Sequence, residues 1–178
     1  MNQLVLDRNK DAKLHWHGGG LYSMTPPETM FGYTVHAHMI PPFEPEYGLI
    51  LGSSGGTVTK LIKKIYPDAS LDCVDKESRP GGEDDSSFYL IDAKEFISRF
   101  NYPRFDFICI DLWNGAKVCD LIYDPEFATK IAQICNGLMC MNIPSADADN
   151  AIVYHDAGFE YDRHVNVDAN SVIWWSVK

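Results

Sequence analysis

Residues 47–77 read YGLILGSSGGTVTKLIKKIYPDASLDCVDKE, and this stretch decides the fold. An apolar run at 49–51 leads into a glycine-rich turn, after which apolar residues recur at the spacing of a helix with one buried face: Val58, Leu61, Ile62 and Ile65. A second apolar run at 71–74 ends in Asp75. The pattern predicts a strand, a helix and a second, parallel strand, joined by the right-handed crossover that such units almost always have.

The turn after the first strand consists only of small residues: Gly52, Ser53, Ser54, Gly55 and Gly56. Glycine lacks a β-carbon, so a ligand can approach the backbone closely, and the following helix directs unpaired N–H groups toward the same place. Asp75 is placed to accept hydrogen bonds from both hydroxyls of a ribose, and Glu77 is the alternative residue for this role. The unit predicts a site for a nucleoside-containing ligand; the alternative is a tight turn that binds nothing.

The rest of the chain continues the alternation of strands and helices. Apolar runs predict further parallel strands at 88–91, 104–111 and 138–143. Helix signals predict three further helices, at 94–100, 124–137 and 146–157. The second of these is expected to be capped by Asp124 and to end at Gly137. Residues 78–87 and 112–123 are predicted to be loops. The final alternating runs predict an antiparallel hairpin made of 159–167 and 171–177.

The chain before the first core strand is less regular. Residues 14–24 are compatible with a small hairpin around the glycines at 18–20. His15 and His17 share a side of that strand, and they are interpreted as surface or partly buried histidines rather than as a metal pair. Residues 30–40 predict a helix that packs on the sheet. The expected division is a short N-terminal segment, 1–46, followed by one domain, 47–178.

Composition restricts the classes of partner and compartment. The chain of 178 residues has a net charge of −10, which argues against binding to a nucleic-acid backbone. The same charge could attract a cationic substrate or could simply keep the protein soluble. Five cysteines without a CxxC pair indicate a reducing cytoplasm and no zinc site. No signal peptide or membrane-spanning run is found, and a homodimer is compatible with the sequence.

Residues 47–77 resemble the first motif of the spermidine synthase-like branch of the class I S-adenosylmethionine-dependent transferases. The resemblance continues in IDAKEFISRF at 91–100 and FDFICIDLWNG at 105–115, and it covers about residues 47–143. It implies an α/β, Rossmann-like class I methyltransferase fold, whose mostly parallel seven-stranded sheet is closed by a C-terminal antiparallel hairpin. It also implies S-adenosylmethionine, or its decarboxylated form, as cofactor and a small-molecule acceptor.

The resemblance also implies roles for two aspartates. An aspartate at the end of the third strand contacts the adenine amino group in that branch, and Asp92, followed by Ala93, matches it. A carboxylate there can equally cap the next helix, and the two roles are compatible. In the aminopropyl transferases an aspartate at the end of the fourth strand orients and deprotonates the attacking amine, and Asp111 matches it. No metal is required.

Two departures from the branch leave the function open. The polyamine-forming enzymes carry a second aspartate three residues after the first, where this chain has Asn114. Their N-terminal acidic pair and tyrosine–histidine–glutamate run are not found; the nearest stretch is MFGYTVHAHM at 30–39, with Tyr33, His36 and His38. The sequence therefore favours a methyl or aminopropyl transferase, with a non-catalytic binding or assembly module as the alternative. A nicotinamide-dependent oxidoreductase is disfavoured by the GSSGG turn and the C-terminal hairpin.

Overall fold

The structure, a computed structural model, describes residues 13–17, 20–25, 35–77, 86–167 and 169–178, with side chains from residue 35 onward. The strands in this part are β1 (Lys13–His17), β2 (Gly20–Thr25), β3 (Gly48–Leu51), β4 (Leu71–Asp75), β5 (Ser87–Leu90), β6 (Phe105–Ile110), β7 (Trp113–Asn114), β8 (Lys117–Val118), β9 (Cys135–Pro144), β10 (Phe159–Val167) and β11 (Asn170–Val177). The α-helices are α1 (Thr57–Ile65), α2 (Ala93–Ile97), α3 (Pro125–Ile134) and α4 (Ile152–Asp156). Short 3-10 helices span Val35–Met39, Asp120–Tyr123 and Ser145–Ala151.

Seven of the described strands form one sheet in the order β10-β11-β9-β6-β3-β4-β5. The five strands from β9 to β5 are parallel, while β11 pairs antiparallel with both β9 and β10. The expected Rossmann-like class I methyltransferase fold with its closing hairpin is confirmed. Because the parallel strands share one direction, the ends of β3, β4, β5 and β6 meet at one edge of the sheet.

Apolar side chains cover both faces of this sheet. Helices α2, α3 and α4 bury Phe96, Phe127 and Tyr154 in a cluster on one face. Helix α1 and the 3-10 helix at Val35–Met39 bury a second cluster on the other face. The adjacent residues Trp174 and Trp175 belong to different clusters, as successive positions of a strand should.

The segment before β3 is attached to the sheet through its backbone carbonyls. The indole N–H of Trp174 donates to the His38 carbonyl over 3.1 Å, and the Cys140 thiol lies 3.6 Å from the Met39 carbonyl. A helix was predicted over 30–40. The structure has a 3-10 helix at Val35–Met39, and residues 30–34 lie outside the described residues. The predicted hairpin near the N-terminus is confirmed as the antiparallel pair of β1 and β2.

Several predicted boundaries are wrong in instructive ways. Helix α3 begins after Asp124 as predicted, with the carboxylate accepting from the Glu126 N–H over 2.9 Å, but it ends before Gly137. Gly137 lies inside β9, where a β-carbon would be 2.1 Å from the Asp106 carbonyl oxygen. The glycine therefore permits the close approach of β9 to β6 instead of ending a helix.

Other differences are smaller. The predicted loop at 112–123 contains the short antiparallel pair β7 and β8 followed by a 3-10 helix. The helix predicted at 146–157 is a 3-10 helix in its first half, before α4. Ile65, predicted on the buried face of α1, is 43 % exposed because it lies in the last turn. Most of the predicted loop at 78–87 lies outside the described residues, and Ser87 already belongs to β5. None of the described helices is long and apolar enough to cross a bilayer.

A substitution tests the role assigned to Gly137. We expect Gly137→Ala to lower the free energy of unfolding in urea by about 3 kcal/mol or more, because the new methyl group meets the rigid backbone of β6. The matched control is Gly158→Ala, where φ is +108° but nothing lies within 4 Å of the new β-carbon. That variant should lose only about 1 kcal/mol, from backbone strain alone. Equal losses for the two variants would contradict the close-approach explanation.

Candidate functional site

The glycine-rich turn lies against the end of β6. Gly52 has a φ of +86°, and a β-carbon there would lie 2.1 Å from the Asp111 carbonyl oxygen. The N–H groups of Gly52 and Ser53 both donate to the Val74 carbonyl, at 2.9 and 3.2 Å. Gly56, with a φ of +77°, then leads into α1 without a side-chain cap. The turn thus requires glycine for conformation and for space, and its backbone is fixed between β4 and β6.

Asp75 is oriented by the same turn. Its carboxylate accepts one hydrogen bond from the Ser54 N–H at 2.7 Å and another from the Glu77 N–H at 2.9 Å. Each carboxylate oxygen has room for a further hydrogen bond, because it can accept two. Asp75 is therefore held at the end of β4 in a position to accept hydrogen bonds from a ligand.

Most of the residues predicted to bind the cofactor line one groove at this edge of the sheet. The groove is lined in part by Gly52, Asp75, Glu77, Asp92, Ala93 and Asp111. Ser54 lines a neighbouring cavity instead, while Ser53, Gly55 and Gly56 line neither. Asp92 caps α2, and both of its hydrogen bonds to backbone N–H groups use the Oδ1 atom. Its Oδ2 atom therefore keeps its lone pairs for a donor in the groove.

Asp111 is the centre of a hydrogen-bonded cluster. Its Oδ1 atom accepts from the Trp113 indole N–H at 3.0 Å and from the Asn142 amide at 2.8 Å. Its Oδ2 atom lies 3.1 Å from His36 Nε2. Only 11 % of the Asp111 side chain is exposed. Three donors on one carboxylate compensate for its removal from water, and they hold it in a single orientation.

A larger cavity of about 260 Å³ lies beside the groove and shares Gly52, Asp111 and Trp113 with it. His36 and Asn142 also line this cavity. The sequence did not assign a role to either residue. Asn142 was detectable as the one strongly polar residue in the apolar run at 138–143, but His36 reaches the site from a segment 75 positions before Asp111. The cavity and the groove therefore meet at Asp111.

Asn114, which replaces the second aspartate of the resembled branch, contacts the ammonium group of Lys76. Both residues line the groove. An aspartate at this position would form an ion pair with the same lysine, so the amide removes one negative charge from the rim while keeping a hydrogen-bond acceptor.

Three of the cysteines lie in buried strands of the sheet. Cys73, Cys109 and Cys140 are buried in strands β4, β6 and β9, and burial raises the pKa of the Cys109 thiol well above its usual value. A thiol in that state is a poor nucleophile. Among the described side chains, no group of three or more His, Cys, Asp or Glu residues is arranged to hold a metal ion.

Comparison with proteins of known structure identifies the fold. One protein of similar structure is human methyltransferase-like protein 13 in complex with SAH. It is 16 % identical, over 76 % of this chain and 73 % of that one, with a TM-score of 0.63. The 1,6-didemethyltoxoflavin-N1-methyltransferase of Burkholderia thailandensis is 14 % identical, over 86 % of this chain and 77 % of that one, with a TM-score of 0.59. A probable spermidine synthase of Corynebacterium glutamicum is 15 % identical, over 73 % of this chain and 52 % of that one, with a TM-score of 0.60. The chain has the fold of class I methyltransferases.

Sequence comparison agrees with the branch suggested by the motifs. No family model matches the chain. A polyamine aminopropyltransferase of Vibrio vulnificus is 26 % identical over 103 residues, which cover 51 % of this chain and 34 % of that protein. The chain therefore spans about a third of the length of this curated relative. The resemblance to the spermidine synthase-like branch is supported, whereas activity and substrate do not follow from it.

The Asp111 cluster can be tested through stability. We expect Asp111→Ala to lower the free energy of unfolding by about 2–4 kcal/mol, because an N–H donor that loses its partner costs about 1–3 kcal/mol when buried. Asp68→Ala removes an exposed carboxylate far along the chain from the cluster and should stay within about 0.5 kcal/mol of the wild type. Urea unfolding of the two variants measures the difference. An Asp111→Ala protein as stable as the Asp68→Ala control would show that the three hydrogen bonds contribute nothing.

Proposed function

We propose that this chain is an S-adenosylmethionine-dependent transferase that acts on a small acceptor, with an amine as the favoured class. The observation that carries the proposal is the convergence of the Gly52 turn, Asp75, Asp92 and Asp111 on one groove at the carboxyl ends of adjacent parallel strands. Open α/β sheets bind their ligands at this place. The fold neighbours support the same class, since one of them was solved in complex with SAH.

The groove offers hydrogen-bond acceptors for the nucleoside part of the cofactor. The carboxylate of Asp75 is already oriented by the N–H groups of Ser54 and Glu77, and it would accept the ribose hydroxyls. The Oδ2 atom of Asp92 would accept the adenine amine, with Ala93 beside it. The absence of a β-carbon at Gly52 lets the turn lie against the Asp111 carbonyl at the end of β6, so the turn and Asp111 border the same groove. When bound, the cofactor supplies a carbon made electrophilic by its sulfonium.

The acceptor would occupy the cavity next to Asp111. The cavity and the groove share Gly52, Asp111 and Trp113, so a molecule in one meets a molecule in the other at the carboxylate. The Asp111 carboxylate would favour a cationic or hydrogen-bond-donating acceptor, and the net charge of −10 acts in the same direction. Holding the two reactants at this junction is the main contribution that the protein makes to a transfer reaction.

A non-catalytic binding or assembly module is the second candidate. Asn114 favours it, because the aspartate of the aminopropyl transferases is missing at this position and the amide contacts Lys76 instead. The module would keep the fold, and its affinity for sulfonium nucleosides would not depend on Asp75.

Calorimetric titration separates these candidates. S-adenosylmethionine, its decarboxylated form and methylthioadenosine are titrated in parallel into the wild type, Asp75→Ala and the control Asp68→Ala. We expect binding of the sulfonium nucleosides to the wild type and the control. Asp75→Ala should weaken it at least about tenfold, because two hydrogen bonds to a charged group are lost.

The pattern of preference assigns the reaction. Tighter binding of S-adenosylmethionine indicates methyl transfer, and tighter binding of the decarboxylated form indicates aminopropyl transfer. Absence of binding by all three compounds would favour the module. Unchanged affinity in Asp75→Ala would show that the ribose assignment is wrong.

A further inference from the structure

Trp113 lies at the junction of the groove and the neighbouring cavity. Gly52, Asp111 and Trp113 line both spaces, and Trp113 is the one of these three that has an aromatic ring. It begins β7, and its partner in the antiparallel ribbon is Val118 of β8. A ligand that extends from the groove into the cavity therefore passes beside this tryptophan.

The indole ring of Trp113 is held in place by its polar edge. The Nε1–H group donates to Asp111 Oδ1 at 3.0 Å, and the carboxylate is itself oriented by two further hydrogen bonds. The base of the ribbon is closed by a hydrogen bond of 2.9 Å from the Cys119 N–H to the Leu112 carbonyl. The ring therefore has a fixed position beside the carboxylate that borders both spaces.

An indole ring in this position is suited to binding a cation. The faces of an aromatic ring carry negative charge and attract cations within about 6 Å of the ring centre, and tryptophan does so most strongly. A cation that contacts Asp111 at the junction comes within this reach, because the edge of the ring is 3.0 Å from the same carboxylate. The ring and the carboxylate would then act together on one charge.

The sulfonium of the proposed cofactor is a cation that gains from an aromatic partner. Its sulfur carries three carbon substituents and no hydrogen, so it cannot donate a hydrogen bond to Asp111, which attracts it through charge alone. Proteins bind alkylated cations of this kind against aromatic rings. An acceptor in the cavity has to reach the carbon next to sulfur, so the sulfonium of the proposed complex lies at the junction that Trp113 borders.

We propose that Trp113 is a specificity-determining residue whose indole ring binds the positive charge of the transfer reaction. The inference rests on the function proposed above. During transfer, the lone pair of a neutral amine nitrogen forms a bond to the carbon next to sulfur, and the carbon–sulfur bond breaks with its electron pair passing to sulfur. The sulfonium becomes a neutral thioether, and the charge moves to the nitrogen, which then loses a proton to water. Because Trp113 lines both spaces, it borders the charge before and after the transfer.

Calorimetric titration with two nucleosides of the same shape measures the effect of the charge. One is a deoxyadenosine with a dimethylsulfonium group on its 5′ carbon, and the other carries a neutral isopropyl group there. The charge preference is the ratio of the two affinities. Trp113→Phe keeps an aromatic ring without the N–H group, whereas Trp113→Leu lacks both. We expect the wild type to prefer the sulfonium, and the preference to be about two- to thirtyfold lower in Trp113→Leu than in Trp113→Phe.

Two controls accompany these variants. The neutral nucleoside should bind the wild type and both variants with similar affinity, which shows that the groove is intact. Tyr161→Leu removes an aromatic ring that is 57 % exposed and lines neither space, and it should leave the charge preference unchanged. An equal loss in Trp113→Phe and Trp113→Leu would assign the effect to the hydrogen bond with Asp111 and would overturn the proposal. An unchanged preference in both variants would also overturn it.

Fluorinated tryptophan tests the ring while keeping its N–H group. Incorporation at every tryptophan of an analogue fluorinated on the benzene ring withdraws electrons from the ring faces. The charge preference of the wild type should fall, while that of Trp113→Phe should not change. This comparison decides the matter even if Trp113→Leu fails to fold, and an unchanged preference in the fluorinated wild type would refute the cation–π contact alone. If the wild type binds neither nucleoside, the proposed function is contradicted together with the inference.

Discussion

The close approach of Gly52 to the Asp111 carbonyl is the constraint on which the site depends. A β-carbon at Gly52 would be 2.1 Å from that oxygen, so any other residue would push the turn away from the end of β6. With glycine, the turn, Asp75 and Asp111 occupy neighbouring strand ends. The groove and the neighbouring cavity consequently share Gly52 and Asp111, so a cofactor and an acceptor bound as proposed would meet there.

The order of the strands and helices could be predicted because each signal is local. The apolar runs of β3, β4 and β6, the spacing of apolar residues in α1 and the cap at Asp124 all lie within a few residues of the element that they specify. The prediction of a helix end at Gly137 was wrong because it also relied on a local signal. A glycine after a helical pattern is typical of a helix end, but this one is required by the backbone of β6, about thirty residues earlier in the chain, and no local pattern shows that contact.

Local sequence signals likewise predicted some of the residues at the site and missed others. Asp75, Asp92 and Asp111 were predictable because each ends a strand, and the ends of parallel strands meet at one edge. The contact of His36 with Asp111 depends on how the 3-10 helix at Val35–Met39 packs on β9 and β11, and sequence spacing carries no information about that packing. The polar atoms of His36 and Asn142 that lack a partner among the described residues become visible only when every buried hydrogen bond has been assigned.

A crystal structure of the protein with S-adenosylhomocysteine bound tests the central claim most directly, because it locates the nucleoside without reference to the acceptor. The account predicts both ribose hydroxyls within about 3 Å of the Asp75 carboxylate, the adenine amine at Asp92, and the sulfur directed toward Asp111 and the cavity lined by His36. A nucleoside bound elsewhere, or one whose ribose does not contact Asp75, would contradict the account and would leave the glycine-rich turn as an element of the fold alone.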